Sequence, residues 1–226
     1  MSVEAVEKTG KLFTWKTFAQ DHTRFAAMLP GYLGAYVSPP GLGRSLSPVE
    51  IESVMVTMNT YNNACPYCSG LHGQLARMAG ANDIDALHPA VVYTKVFAQE
   101  SGRGPVEAAA FETLKAAMDP ARASSVRSLC WALLWGKTTG NSINAARDKL
   151  LSRHFSDITT LDVVLLGYYG PLFFFIGVLN QILLKAPANV PSWFSSTLGA
   201  ILWVPQALFI APMGILCVAV NGGKVV

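Results

Sequence analysis

The chain has 226 residues, of which 51% are hydrophobic and 14% charged, with a formal net charge of +3 and four cysteines. That length allows one sizeable core, or one domain with an appendage, without disulfide staples. The basic residues are scattered, which excludes the Lys/Arg stripe of a phosphate-tracking surface and therefore a nucleic-acid partner. One close pair of cysteines and two isolated ones exclude a secreted disulfide scaffold and suit a reducing compartment, cytosol or organelle interior. The charged fraction is low against the roughly 25% of an ordinary soluble domain, so a surface beyond a water-facing monomer is expected. Met1 to Lys11 alternates charges without an apolar run, so neither a secretory signal nor an Arg-rich transit peptide is expected there.

Phe13, Trp15, Phe18, Phe25 and Met28 alternate with Lys16, Asp21 and Arg24, predicting an amphipathic helix that ends at Pro30-Gly31, with His22 as a packing or surface residue. Ser38 to Gly43 reads as a loop. Its Gly41-Leu42-Gly43 lacks both a preceding strand and the third glycine of a dinucleotide fingerprint. Ser47-Pro48-Val49-Glu50 is a capping box with proline at the first helical position, followed by a buried stripe of Ile51, Val54, Met55 and Met58. Glu52 lies at the edge of that stripe, and periodicity alone reads it as a solvated first-turn carboxylate.

The Asn62-Asn63-Ala64 turn then delivers Cys65-Pro66-Tyr67-Cys68-Ser69-Gly70-Leu71-His72. At about 100° per residue, Cys65, Cys68 and His72 share one face of a helix. Pro66 fits the first helical position and puts Cys65 at or near the N-cap, where the helix dipole favours thiolate over thiol. Three readings of the pair stand side by side: redox or nucleophilic thiol chemistry, inert buried cysteines, and half of a zinc site. Zinc normally requires a second ligand pair, and Cys130 and Cys217 stand alone, so no metal is expected.

The helix runs on to Gly80 as its C-cap, and Asn82 or Asp83 caps a short turn after it. Further helices are predicted over Pro89 to Gln99, Val106 to Met118 and Ala121 to Trp135, the last burying Cys130 as a small apolar residue. Lys137 to Gly140 reads as a turn, and Ser142 to His154 as an amphipathic helix with Arg147, Lys149 and Arg153 outward. His88 and His154 sit beside helix ends, as caps or exposed groups. Val163 to Leu184 and Leu198 to Val220 are free of charge and each meets the length of a membrane span, about 20 residues. The segment 198–220 has three readings: burial against another protein, insertion into or association with a membrane, and packing onto its own domain. No period-2 strand pattern occurs, so the fold class is all-α.

Leu46-Ser47-Pro48-Val49-Glu50-Ile51-Glu52, an apolar helix, Cys65-x-x-Cys68 and His72 together resemble the carboxymuconolactone decarboxylase superfamily, particularly its alkylhydroperoxidase D-like branch. The resemblance extends over residues 13 to 184. It divides the chain into an alkylhydroperoxidase D-like helical domain, 1–184, and an apolar C-terminal extension, 185–226. Glu52 lies one residue further from the first cysteine than is usual in the family. Tyr67 stands where some members carry another histidine, and the family's Asn-Arg pair is not evident near Gly177 to Gln181.

The resemblance implies a helical domain that forms homo-oligomers or joins a larger complex, and a thiol-dependent peroxidase or disulfide oxidoreductase without a cofactor. In the roles it implies, Cys68 attacks the peroxide, Cys65 condenses with the sulfenic acid, and His72, held by Glu52, moves protons. An external dithiol, lipoyl or thioredoxin-like, regenerates the pair. The alternative is a structural subunit of a membrane-associated assembly on the same fold; lactone decarboxylation leaves the cysteine pair without a task.

Overall fold

The structure is a computed structural model that describes residues 12–37, 45–62, 65–81 and 85–220. The Ser38 to Gly43 loop with its glycines, most of the turn before Cys65 and the Asn82/Asp83 cap lie outside the described residues. Among the described residues all regular structure is helical, so the protein is all-α as its sequence predicts. The helices are α1 (Trp15–Tyr36), α2 (Pro48–Tyr61), α3 (Pro66–Ala79), α4 (Pro89–Glu100), α5 (Gly104–Ala117) and α6 (Pro120–Leu151). After a 3₁₀ turn at Phe155–Asp157 come α7 (Thr160–Leu183) and α8 (Ser192–Val220).

Two helices differ from the sequence expectation. The first does not stop at Pro30-Gly31 but continues to Tyr36, burying Tyr32, Ala35 and Tyr36 beyond the proline. Packing outweighs the lost hydrogen bond, because α6 lies against this turn: a Cβ on Gly31 would stand 2.4 Å from the Ser128 hydroxyl. The second difference is larger. Lys137 to Gly140 is no turn; it lies inside α6, a single helix of 32 residues whose stretch from Ser128 to Ile143 is buried throughout. Thr138 and Thr139 donate their hydroxyls to the Leu134 and Trp135 carbonyls, at 3.0 and 2.8 Å, so the polar residues are satisfied within the helix itself.

Helix α6 is the axis of the fold. α1 packs along one side of it, α2 and α3 along another, and α4 and α5 close its N-terminal half. Arg127 bonds Glu107 at 2.8 Å, and the Tyr93 hydroxyl donates to the same carboxylate, tying α4, α5 and α6 together. In the aromatic core between α1, α6 and α7, the indole N–H of Trp135 donates to His22 Nε2 at 3.0 Å, while His22 Nδ1 faces the Phe18 carbonyl at 2.6 Å. Burial lowers the pKa of His22 to about 3. It is a packing histidine held neutral, not a surface one.

Helix α7 starts from a Thr159–Asp162 capping box, with Lys149 on the same carboxylate at 2.8 Å, and contains one π-helical turn at Leu165–Tyr169. Arg77, at the end of α3, donates to the Ala186 and Leu183 carbonyls at 2.7 and 3.0 Å and so caps the far end of α7. Helix α8 then lies along α1. Gly199 and Gly214 allow the approach, since a Cβ at either would meet Tyr36 or Ala26. Leu202, Ile210 and Cys217 face inward, whereas Ile201, Val204, Leu208 and Ile215 are exposed on the opposite side. By length and composition both α7 and α8 are long and apolar enough to cross a membrane, and only 33% and 22% of their most apolar windows are buried within the chain.

Candidate functional site

The site is assembled from the inner faces of α2, α3 and α6 around the start of α3. The capping box predicted at Ser47 is present: the Ser47 hydroxyl accepts from the Glu50 N–H, and Glu50 accepts from the Ser47 N–H. It fixes the first turn of α2, and Glu52 follows on the inner face, 4% exposed. Glu52 is therefore not the solvated carboxylate that periodicity suggests. It faces His72 Nδ1 at 3.1 Å, with both side chains withdrawn from solvent. A buried carboxylate is costly without a partner, and the imidazole N–H supplies one; this contact also leaves Nε2 as the nitrogen for proton exchange.

Cys65 occupies the N-cap of α3 with extended backbone, φ −88° and ψ 128°, and Pro66 follows at the first helical position. Cys65 and Cys68 are both buried and both free thiols. The pKa of Cys65 is lowered to about 7, chiefly by the hydrogen bond from Cys68. Burial opposes this, and the N–H groups of Cys68 and Tyr67 and the Lys137 ammonium assist it. The same bond, together with burial, raises Cys68 well above the ordinary thiol range. When the pair loses one proton, the negative charge is favoured on Cys65 and the remaining proton on Cys68.

Helix α6 contributes the segment Lys137 to Gly140, which local sequence alone predicts as a turn. Gly136 and Gly140, one helical turn apart, face the two sulfurs: a Cβ on Gly140 would lie 2.4 Å from Cys65 Sγ, and one on Gly136 would lie 3.5 Å from Cys68 Sγ. Between them Lys137 is 1% exposed and donates to the Met58 carbonyl at 2.8 Å. Burial lowers its pKa to about 8, against the pull of the nearby sulfurs. A Gly-x-x-x-Gly spacing enclosing a lysine, inside a long apolar segment, is the signal that could have identified it.

Cys68 and His72 line a partly open cavity of about 40 Å³, together with Tyr32, Phe173, Ile176 and Gln206. Phe173 stacks edge-on against Tyr67 at 5.5 Å and covers the Cys65 side. Behind Glu52, Ser195, Ser196 and Gly199 of α8 close a second, smaller space. A larger apolar groove of about 680 Å³ lies between Trp15 and Phe18 of α1 and Met213, Leu216 and Val220 of α8, and contains none of these site residues.

The remaining candidates lie elsewhere. Cys130 is buried beside Thr94, and burial raises its thiol to about 12. His88 caps α4 by accepting from the Ala90 N–H, and His154 is exposed before the 3₁₀ turn. Among the described residues no group of three or more His, Cys, Asp or Glu side chains is arranged to hold a metal ion. Compared with models of known families, with curated proteins and with solved structures, the chain finds no match.

Proposed function

We propose that the protein is a thiol-dependent peroxidase or disulfide oxidoreductase, built like the alkylhydroperoxidase D-like branch of the carboxymuconolactone decarboxylase superfamily. The observation that carries this reading is a hydrogen-bonded Cys65/Cys68 pair whose Cys68 shares a cavity with His72, itself bonded to the buried Glu52 at 3.1 Å. Cys68 is the cysteine that lines the cavity, so it meets the oxidant. Its sulfur attacks one peroxide oxygen and the O–O bond breaks. The thiol proton passes through His72 to the leaving oxygen, giving water or an alcohol and a sulfenic acid on Cys68. The Cys65 thiolate then attacks that sulfur, the S–O bond breaks, and the departing hydroxide takes a proton from solvent. The product is a disulfide, which an external dithiol such as a lipoyl or thioredoxin-like group returns to two thiols. The lowered pKa of Cys65 suits this second, resolving attack. Peroxide consumption with a dithiol donor tests the reading: Cys68→Ser abolishes turnover, and equal rates in wild type and variant refute it.

A second reading, a structural subunit of a membrane-associated assembly, draws on the exposed apolar faces of α7 and α8 and on the full burial of Cys65. With Phe173 and α8 over the pair, a bulky protein reductant reaches the sulfurs only if this cover moves. A chain that consumes no peroxide yet binds bilayers would favour it.

A further inference from the structure

The stretch 198–220 is apolar with one carboxamide, Gln206. That side chain is half-buried. It lies in the wall of the cavity that holds Cys68 and His72, and it is hydrogen-bonded to the Tyr32 hydroxyl. A carboxamide carries two N–H donors and an acceptor, and the bond to Tyr32 uses only part of that capacity. Gln206 lines the same small space that Cys68 lines.

We infer that this cavity binds a small polar oxidant of the size of hydrogen peroxide, that Gln206 holds it by hydrogen bonding, and that the apolar C-terminal helix thereby sets the specificity of the thiol site. The inference rests on the peroxidase reading and deepens it. A cavity of about 40 Å³ compares with the roughly 10–15 Å³ that one water requires, so it accepts a ligand of two or three heavy atoms. An aryl or alkyl hydroperoxide would have to displace Phe173 or Ile176. Phe173 is confined between Tyr67 and the clearance at Gly140, and α8 is held against Tyr36 at Gly199. Moving either wall separates helices, a step that bulky hydroperoxides require and hydrogen peroxide does not. Gln206, Cys68 and His72 line the same cavity, so a peroxide bound there meets the carboxamide as well as the thiol and the imidazole. The oxidation is the one written above, with hydrogen peroxide as the oxidant and water as the product.

The test uses the full-length reduced protein in mild detergent, mixed with either hydrogen peroxide or cumene hydroperoxide. Oxidation of Cys68 is followed by rapid quenching and mass spectrometry. In wild type the rate constant for hydrogen peroxide exceeds that for cumene hydroperoxide by about a hundredfold or more. Gln206→Met, which keeps the bulk and removes the hydrogen bond, slows hydrogen peroxide by about tenfold, the weight of one such bond. Gln206→Ala, which opens the wall, moves the ratio of the two rate constants towards unity. Because it is a ratio, it does not depend on the fraction of protein folded. Equal rate constants in wild type, or an unchanged ratio in Gln206→Ala, overturn the inference and leave the peroxidase reading standing. Failure of both hydroperoxides to oxidise wild-type Cys68 overturns the peroxidase reading itself.

Discussion

Lys137 carries its ammonium into the interior with the Met58 carbonyl as hydrogen-bond acceptor and the two sulfurs nearby. Its charge favours thiolate on both cysteines and is opposed by burial. In Lys137→Met the cation is gone, so the thiolate of Cys65 loses one of its stabilising neighbours. The midpoint of thiolate formation, followed by ultraviolet absorbance, rises above about 7; an unchanged midpoint would exclude the lysine from the site's electrostatics. At this scale the sequence announced part of the site. The spacing of Cys65, Cys68 and His72 placed them on one helical face, because helical periodicity is local. Glu52 was identified by resemblance and not by periodicity, since an edge position on a helix reveals nothing of the neighbour it meets across space. Lys137 and Gln206 were illegible for a stronger reason: each becomes part of the site only through contacts with helices far away in the chain.

Gly136 and Gly140 show the same problem at the level of a helix. Two glycines around Lys-Thr-Thr favour a turn by local propensity, yet the segment is buried on all sides and tertiary packing makes it helical. Their lack of side chains is used unequally. Gly140→Ala would press a methyl into Cys65 Sγ and the Phe173 ring, and it destabilises by about 1–3 kcal/mol. Gly136→Ala would meet Cys68 Sγ at an ordinary contact distance, so its effect is neutral or stabilising by up to about 1 kcal/mol from helix propensity. Urea denaturation of both variants separates them, and similar losses would contradict the assigned sulfur contacts. Most other elements were readable because their signals are local: Ser47 and Glu50 cap α2, Pro89 opens α4 and Gly80 closes α3. Helix ends were misplaced where a proline or a glycine pair sits against a neighbouring helix.

For the whole molecule, the decisive feature is an apolar exterior over a buried polar site. Phe174 and Ile182 on α7, with Leu208 and Ile215 on α8, are 75%, 61%, 69% and 70% exposed. Such a surface is unusual for a monomer in water and suits a hydrocarbon phase or another protein. Of the three readings given to 198–220, packing on its own chain is realised on one face, while the opposite face remains apolar and uncovered. We expect the protein to float with phosphatidylcholine vesicles in a density gradient. Combining Phe174→Glu with Leu208→Glu, both on exposed positions, returns it to the soluble fraction with helicity unchanged. A wild-type chain that stays soluble and monodisperse without detergent would rule out lipid contact.

The π-helical turn at Leu165–Tyr169 gives α7 one residue more than an uninterrupted α-helix would need to reach the same orientation. Everything beyond it, including the ring that covers Cys65, is thus in a register set by that surplus. Had the turn been ordinary α-helix with the same sequence, the downstream side chains would be rotated by about 100°, and Phe173 would no longer lie over the sulfur. Gly167 sits in that turn with open space around it. Its removal would let the helix close regularly while leaving the cover in place, whereas removal of a residue before Phe173 with the π-turn retained would turn the cover away. The alignment of lid and thiol therefore depends on whether the π-turn absorbs a change in the length of this helix.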